Sequence, residues 1–161
     1  MAQMATITHP LSPRVGSSNV DERPVLLWVD DFAAGLALYQ VMFERLGFRV
    51  LTASNGHEAL EIVSEAHPDV VVTDYEMPEM DGEAVAAAVK ALRPATPVIM
   101  FSGSTLVPRR ARRLVDAFCD KAAPRNQLLS TVHALLNKKH QSFLQPAPLR
   151  PASHDRHRTI A

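Results

Sequence analysis

The strongest constraint on what this chain can fold into is an alternation. Short apolar runs of strand length recur, and each is followed by a stretch with helical spacing. The runs are "VLLWVDD" (25–31), "RVLTA" (49–53), "DVVVTD" (69–74), "PVIMFSGS" (97–104) and the brief "AFCDK" (117–121). Nearly continuous apolar character over so short a span is the pattern of a strand buried on both faces. After the first run, Leu36, Tyr39, Phe43 and Leu46 are spaced 3, 4, 3, a helical stripe with Gly47 as its stop. "HEALEIVSEA" turns Ala59, Leu60 and Val63 inward, and "EAVAAAVKAL" (83–92) is Ala-rich enough to pack closely. "PRRARRLVDA" begins at Pro108, a favoured first helical residue. "PRNQLLSTVHALL" closes the domain on Leu128, Val132 and Leu135 or Leu136. Five strands alternating with five helices imply parallel βαβ units in a doubly wound α/β sheet with helices on both faces. In such a sheet the working site lies beyond the carboxyl ends of the strands.

Those ends carry chemistry. The first strand closes on Asp30 and Asp31, the third on Asp74, the fourth on Ser102 and the fifth on Lys121. Each has an ordinary reading alone: Asp30 or Asp31 can cap the next helix, Asp74 can open a turn, and most lysines are solvated. Together they put three carboxylates, a hydroxyl and an amine on one edge. Two carboxylates about 4 Å apart repel by about 4 kcal/mol at an effective dielectric near 20. A hard divalent cation relieves that repulsion, and oxygen ligands with open water positions favour Mg²⁺. A metal between Asp31 and Asp74 also attracts a phosphoryl oxygen, which makes Asp74 a nucleophile toward phosphate. Lys121 and the Ser102 hydroxyl are then suited to the remaining phosphoryl oxygens.

Charge and composition narrow the alternatives. Basic and acidic residues balance at 17 each, which favours neither nucleic acid nor a membrane surface as a partner. The balance is uneven along the chain: residues 24–138 hold 11 basic and 14 acidic side chains, residues 139–161 hold 4 and 1. The flanks are rich in proline and poor in periodic apolar residues. Residues 1–23 and the basic 139–161 are therefore expected to be disordered tails around a domain at 24–138. The single cysteine, Cys119, excludes an internal disulfide and reads as a core residue. No apolar run approaches the ~18 residues of a membrane span, and no signal peptide is evident, so a cytoplasmic location is expected. His140, His154 and His157 show no metal spacing and read as solvated, and His133 on the last helix reads as a surface residue rather than a phosphotransfer histidine.

The sequence resembles the receiver domain of two-component response regulators. The resemblance rests on the acidic pair in "LLWVDDF", the acceptor segment "VVVTDYEMPEMDG", the hydroxyl and small residue in "FSG", and the lysine in "DAFCDKA". It implies a flavodoxin-like, CheY-like sheet with strand order 2-1-3-4-5. It further implies phosphorylation of Asp74 by a histidine kinase or a phosphotransfer protein. Asp31, Asp74 and the Glu76 backbone carbonyl would ligate Mg²⁺, Asp30 would act largely through water, and Gly103 would keep the phosphoryl group accessible.

Three departures stand out. Ala122 follows Lys121 where the family usually has proline, Phe118 stands where tyrosine is frequent, and the segment from Ser102 to Lys121 is about one helical turn short. All three fall on the face such regulators use for output. Arg109, Arg110, Arg112 and Arg113 cover an arc of roughly 160° on the fourth helix, with Ala111, Leu114 and Val115 opposite. This predicts a basic output face formed by the fourth helix, fifth strand and fifth helix, meeting an unknown downstream protein. No output domain is expected after residue 138, so the chain reads as a stand-alone receiver and not an enzyme. A haloacid-dehalogenase-type phosphatase fits poorly, because Glu76 stands at the position of its second acid and no cap is present. A phosphorylation-independent adaptor is the main alternative. Direct nucleic-acid binding through "RRARR" is disfavoured by the net acidic core.

Overall fold

The structure, a computed structural model of the chain, describes residues 22–104 and 106–144. Ten elements alternate: β1 (Val25–Val29), α1 (Ala33–Arg45), β2 (Arg49–Ala53), α2 (Gly56–Ala66), β3 (Val70–Thr73), α3 (Gly82–Leu92), β4 (Val98–Ser102), α4 (Arg109–Leu114), β5 (Ala117–Asp120) and α5 (Arg125–Leu144). The five strands form one sheet in the order β2-β1-β3-β4-β5, with every pair parallel. The expected α/β sheet and strand order are both observed.

Strand periodicity divides the core. Side chains on successive strand residues point to opposite faces. Leu26 and Trp28 therefore enter one cluster with Phe43, Phe101 and Val132, beneath α1 and α5. Leu27 and Val29 enter the other with Ala59, Val63, Val85 and Val89, beneath α2 and α3. Both β3 and β4 are buried along their whole length, as central strands of a doubly covered sheet must be. A smaller cluster of Met100, Val107 and Ala111 seats α4, with Phe118 packed against it.

Helix ends account for two differences from the sequence reading. α1 stops at Arg45, and Gly47 adopts φ +91°. The Gly47 N–H donates to Glu44 O and the Phe48 N–H to Phe43 O, each at 3.1 Å, the paired bonds of a Schellman motif. That turn folds Phe48 back onto Phe43, ring centroids 5.4 Å apart. Phe48 is consequently buried, while Leu46, expected in the inward stripe, is 45% exposed. Likewise α4 spans six residues, because Val115 is already extended at φ −104°, ψ 154°. Leu114, expected on the inner side, is left 38% exposed, and Val107 packs in instead.

At the other end α5 runs to Leu144, six residues beyond the expected limit of the domain. No proline interrupts it before Pro146, and Lys139 Nζ holds it to the start of β3 by a 3.1 Å bond to Asp69 Oδ1. Residues 139–144, expected to belong to a disordered tail, are thus helical; residues 1–21 and 145–161, where the rest of the expected tails fall, lie outside the described residues. Among the described residues no helix is long and apolar enough to cross a membrane.

Candidate functional site

Because all five strands run parallel, their carboxyl ends share one edge, and residues far apart in sequence meet there. The Asp30 N–H still bonds Ala53 O at 3.1 Å and the Asp74 N–H bonds Val29 O at 2.9 Å, so both aspartates sit one step past their strands on fixed backbone. Lys121 is anchored in the same way, its N–H donating to Ser102 O at 3.1 Å.

From these roots the charged groups converge. Lys121 Nζ lies 2.8 Å from Asp74 Oδ2 and 3.1 Å from Asp30 Oδ2. The other oxygens have backbone donors: Phe32 N–H to Asp30 Oδ1 at 2.9 Å and Tyr75 N–H to Asp74 Oδ1 at 2.6 Å. Asp30 therefore serves the entry to α1 and the ion pair at once. It is 3% exposed, and burial of a carboxylate is tolerated only with such satisfaction of its oxygens. Asp31 is exposed, yet carboxylate oxygens of Asp30, Asp31 and Asp74 all lie within 4.8 Å of one another. Three acids face one ammonium, which leaves a surplus of negative charge. The donor set is oxygen only and one acid is open to water, so the residues fit a hard divalent cation.

The balance of forces on Lys121 is explicit. Burial lowers its pKa, but hydrogen bonds to Asp74 and Asp30, reinforced by their charges, outweigh burial and raise it above the usual lysine value. The amine is held charged.

Other expected residues are placed as follows. Ser102 is buried at the end of β4, its Oγ accepting from the Ser104 N–H at 3.2 Å. A Cβ on Gly103 would stand 3.7 Å from Lys121 Cβ, an ordinary van der Waals contact, so Gly103 lies beside the stem of the amine. Glu76 is exposed on the loop after Asp74. Phe118 is half-buried, and the Arg112 guanidinium covers its ring at 4.1 Å from the centroid. Arg110 Nε pairs with Glu83 Oε1 on α3 at 2.8 Å. The four arginines are thus not one free strip: two are engaged within the molecule, while Arg109 and Arg113 make no ion pair among the described residues.

Sequence reasoning missed two residues. Gly82 opens α3 against the loop that follows Asp74, its N–H bonding Tyr75 O at 2.9 Å. A Cβ there would fall 2.1 Å from Asp74 O, so glycine alone fits. The signal was available as the "MDG" that ends the acceptor segment, but only the fold shows what the glycine touches. The second is Asp120, whose Oδ1 accepts the Ala122 N–H at 2.8 Å.

A family model for the response regulator receiver domain matches residues 26–133. The chain belongs to this family. Receiver segments similar to it occur in larger proteins. It is 32% identical over 132 residues to the autoinducer 1 sensor kinase/phosphatase LuxN of Vibrio harveyi, covering 81% of this chain and 15% of LuxN. It is 34% identical over 119 residues to the transcriptional regulatory protein PrrA of Mycobacterium tuberculosis, covering 72% of this chain and 51% of PrrA. The receiver thus spans about half of PrrA and a small part of LuxN. Among solved structures, the response regulator TrrA of Thermotoga maritima in complex with Mg²⁺-BeF matches with a TM-score of 0.66 and 25% identity, over 70% of this chain and 98% of that one.

Proposed function

We propose that this receiver accepts a phosphoryl group on Asp74 from a histidine kinase or phosphotransfer protein, with Mg²⁺ as cofactor. The signal then leaves through protein contacts of α4, β5 and α5. The observation that carries the reading is the Lys121 ammonium shared between Asp30 and Asp74, with Asp31 completing the acidic cluster. The Mg²⁺-BeF complex of TrrA supports the same assignment for a similar fold.

In this reading a carboxylate oxygen of Asp74 attacks phosphorus as the P–N bond of the donor phosphohistidine breaks. An acyl phosphate forms, and the departing imidazole keeps the bonding electron pair and takes up a proton. Mg²⁺ would be held by Asp31, Asp74 and the Glu76 carbonyl, with Asp30 acting through water, and would neutralise charge on the phosphoryl oxygens. Lys121, already at hydrogen-bonding distance from Asp74, exchanges that carboxylate for a phosphoryl oxygen. Buried Asp30 keeps the amine in place and charged. Ser102 supplies a hydroxyl to another phosphoryl oxygen, and Gly103 leaves room for it. The reading assigns the chain to the cytoplasm.

Incubation with acetyl phosphate and Mg²⁺ followed by intact-mass measurement tests this. Wild type gains one phosphoryl mass and Asp74→Asn none; equal labelling of both would sink the assignment. A phosphorylation-independent adaptor is the second reading, favoured by Phe118, which has no hydroxyl to exchange and lies beneath Arg112. Under it, partner affinity would be the same for labelled and unlabelled protein.

A further inference from the structure

Lys121 has to reach two carboxylates from the end of β5, and no proline fixes the chain after it. Its backbone is nonetheless held on both sides. Before it, Asp120 pairs with Ser102 in the β4–β5 register, and the Lys121 N–H donates to Ser102 O at 3.1 Å. After it, the Ala122 N–H donates to Asp120 Oδ1 at 2.8 Å and the Ala123 N–H to Asp120 O at 3.0 Å. One residue thus accepts both bonds that close the turn around the lysine. A pocket of about 270 Å³ is lined by the turn residues Asp120, Lys121 and Ala123 together with Tyr39, Phe101 and Leu128, so neighbouring side chains do not fill the space on that side of the turn.

We propose that Asp120 is a positioning residue: its side chain fixes the β5–α5 turn so that Lys121 Nζ meets both Asp30 and Asp74. An aspartate that captures the N–H two residues on imposes a turn without help from neighbouring elements. The device depends on Ala122, because a proline there has no N–H to donate. Lysine's stem is flexible, so a root that also samples other conformations adds to the spread of placements open to the ammonium. The inference rests on the reading of Asp74 as phosphoryl acceptor.

The test is the rate of Asp74 labelling by acetyl phosphate, with melting temperature and Ala122 amide exchange read on the same proteins. Asp120→Ala is expected to slow labelling on the order of fivefold, the worth of one net hydrogen bond, and to speed exchange of the Ala122 amide. Asp120→Asn, which keeps the acceptor and drops the charge, recovers most of the rate. Asp120→Glu, which keeps the charge and displaces the acceptor, does not, and serves if the alanine variant fails to fold. In an Ala122→Pro background the loss on Asp120→Ala disappears, since the bond is already gone. Labelling of Asp120→Ala and Asp120→Glu at the wild-type rate, or a loss that persists in the Ala122→Pro background, overturns the role of Asp120. Wild type that takes no phosphoryl group overturns the functional reading beneath it.

Discussion

The acidic edge and the α4–β5 face lie side by side and are built on different principles. At the edge, each charged group hangs from the end of a strand that is hydrogen-bonded into the sheet, and each carboxylate oxygen bonded there has a defined partner. On the neighbouring face, a six-residue helix is seated on the small cluster of Met100, Val107 and Ala111, and its outer arginines add only one exposed ion pair to α3 and one guanidinium over a ring. Exposed pairs of that kind contribute about 0.2–1 kcal/mol each. The charged groups of the edge are therefore fixed by the whole sheet, whereas the arginines of the neighbouring face are placed by a few weak contacts.

The hardest way to break the edge is to disturb its backbone. Gly82→Ala should destabilise the domain by about 3 kcal/mol, the upper range for overpacking, because the new Cβ falls on Asp74 O with no side chain able to yield. Urea denaturation measures the loss, and a change below about 1 kcal/mol would show that the loop after Asp74 moves freely.

Next in size is the metal-linked stability. If Mg²⁺ relieves repulsion among Asp30, Asp31 and Asp74, a hundredfold excess over its dissociation constant should stabilise the domain by ~2.7 kcal/mol. Asp31→Ala should abolish the corresponding melting shift. A mutant that kept the wild-type shift would move the metal elsewhere.

The lysine gives a pH signature. Its folded pKa is raised, so its contribution is fully present below the ordinary value of 10.5 and is lost as pH rises through the higher folded value. Urea midpoints measured on either side of that value should fall more steeply for wild type than for Lys121→Met. Parallel curves would mean that the amine contributes nothing through its charge.

The smallest effects sharpen the contrast on the α4 face. Arg110→Gln with Arg112→Gln should cost about 1 kcal/mol in stability, from one surface pair and one cation–π contact. Arg109→Gln with Arg113→Gln should leave stability unchanged and instead weaken binding of an acidic partner, together with its salt dependence. If both pairs behaved alike, the division of the four arginines would be wrong.

Much of this molecule is legible in its sequence. Alternating runs dictated a parallel sheet, and a parallel sheet gathers strand ends, so Asp30, Asp31, Asp74, Ser102 and Lys121 could be assigned to one edge from their places after apolar runs. That inference needs only local periodicity and one rule of topology. Distances between elements are a different matter, because periodicity does not encode them. The return of Phe48 onto Phe43 depends on a two-bond turn beyond the helix. The extension of α5 accompanies a contact between Lys139 and Asp69, and the loss of a free arginine strip depends on Glu83 and Phe118 coming within reach of α4. The need for glycine at position 82 arises from the approach of Asp74 O, eight residues away along the chain. The sequence by itself determined which groups share the edge; the packing of helices against the sheet decided which of the surface charges remain free to meet a partner.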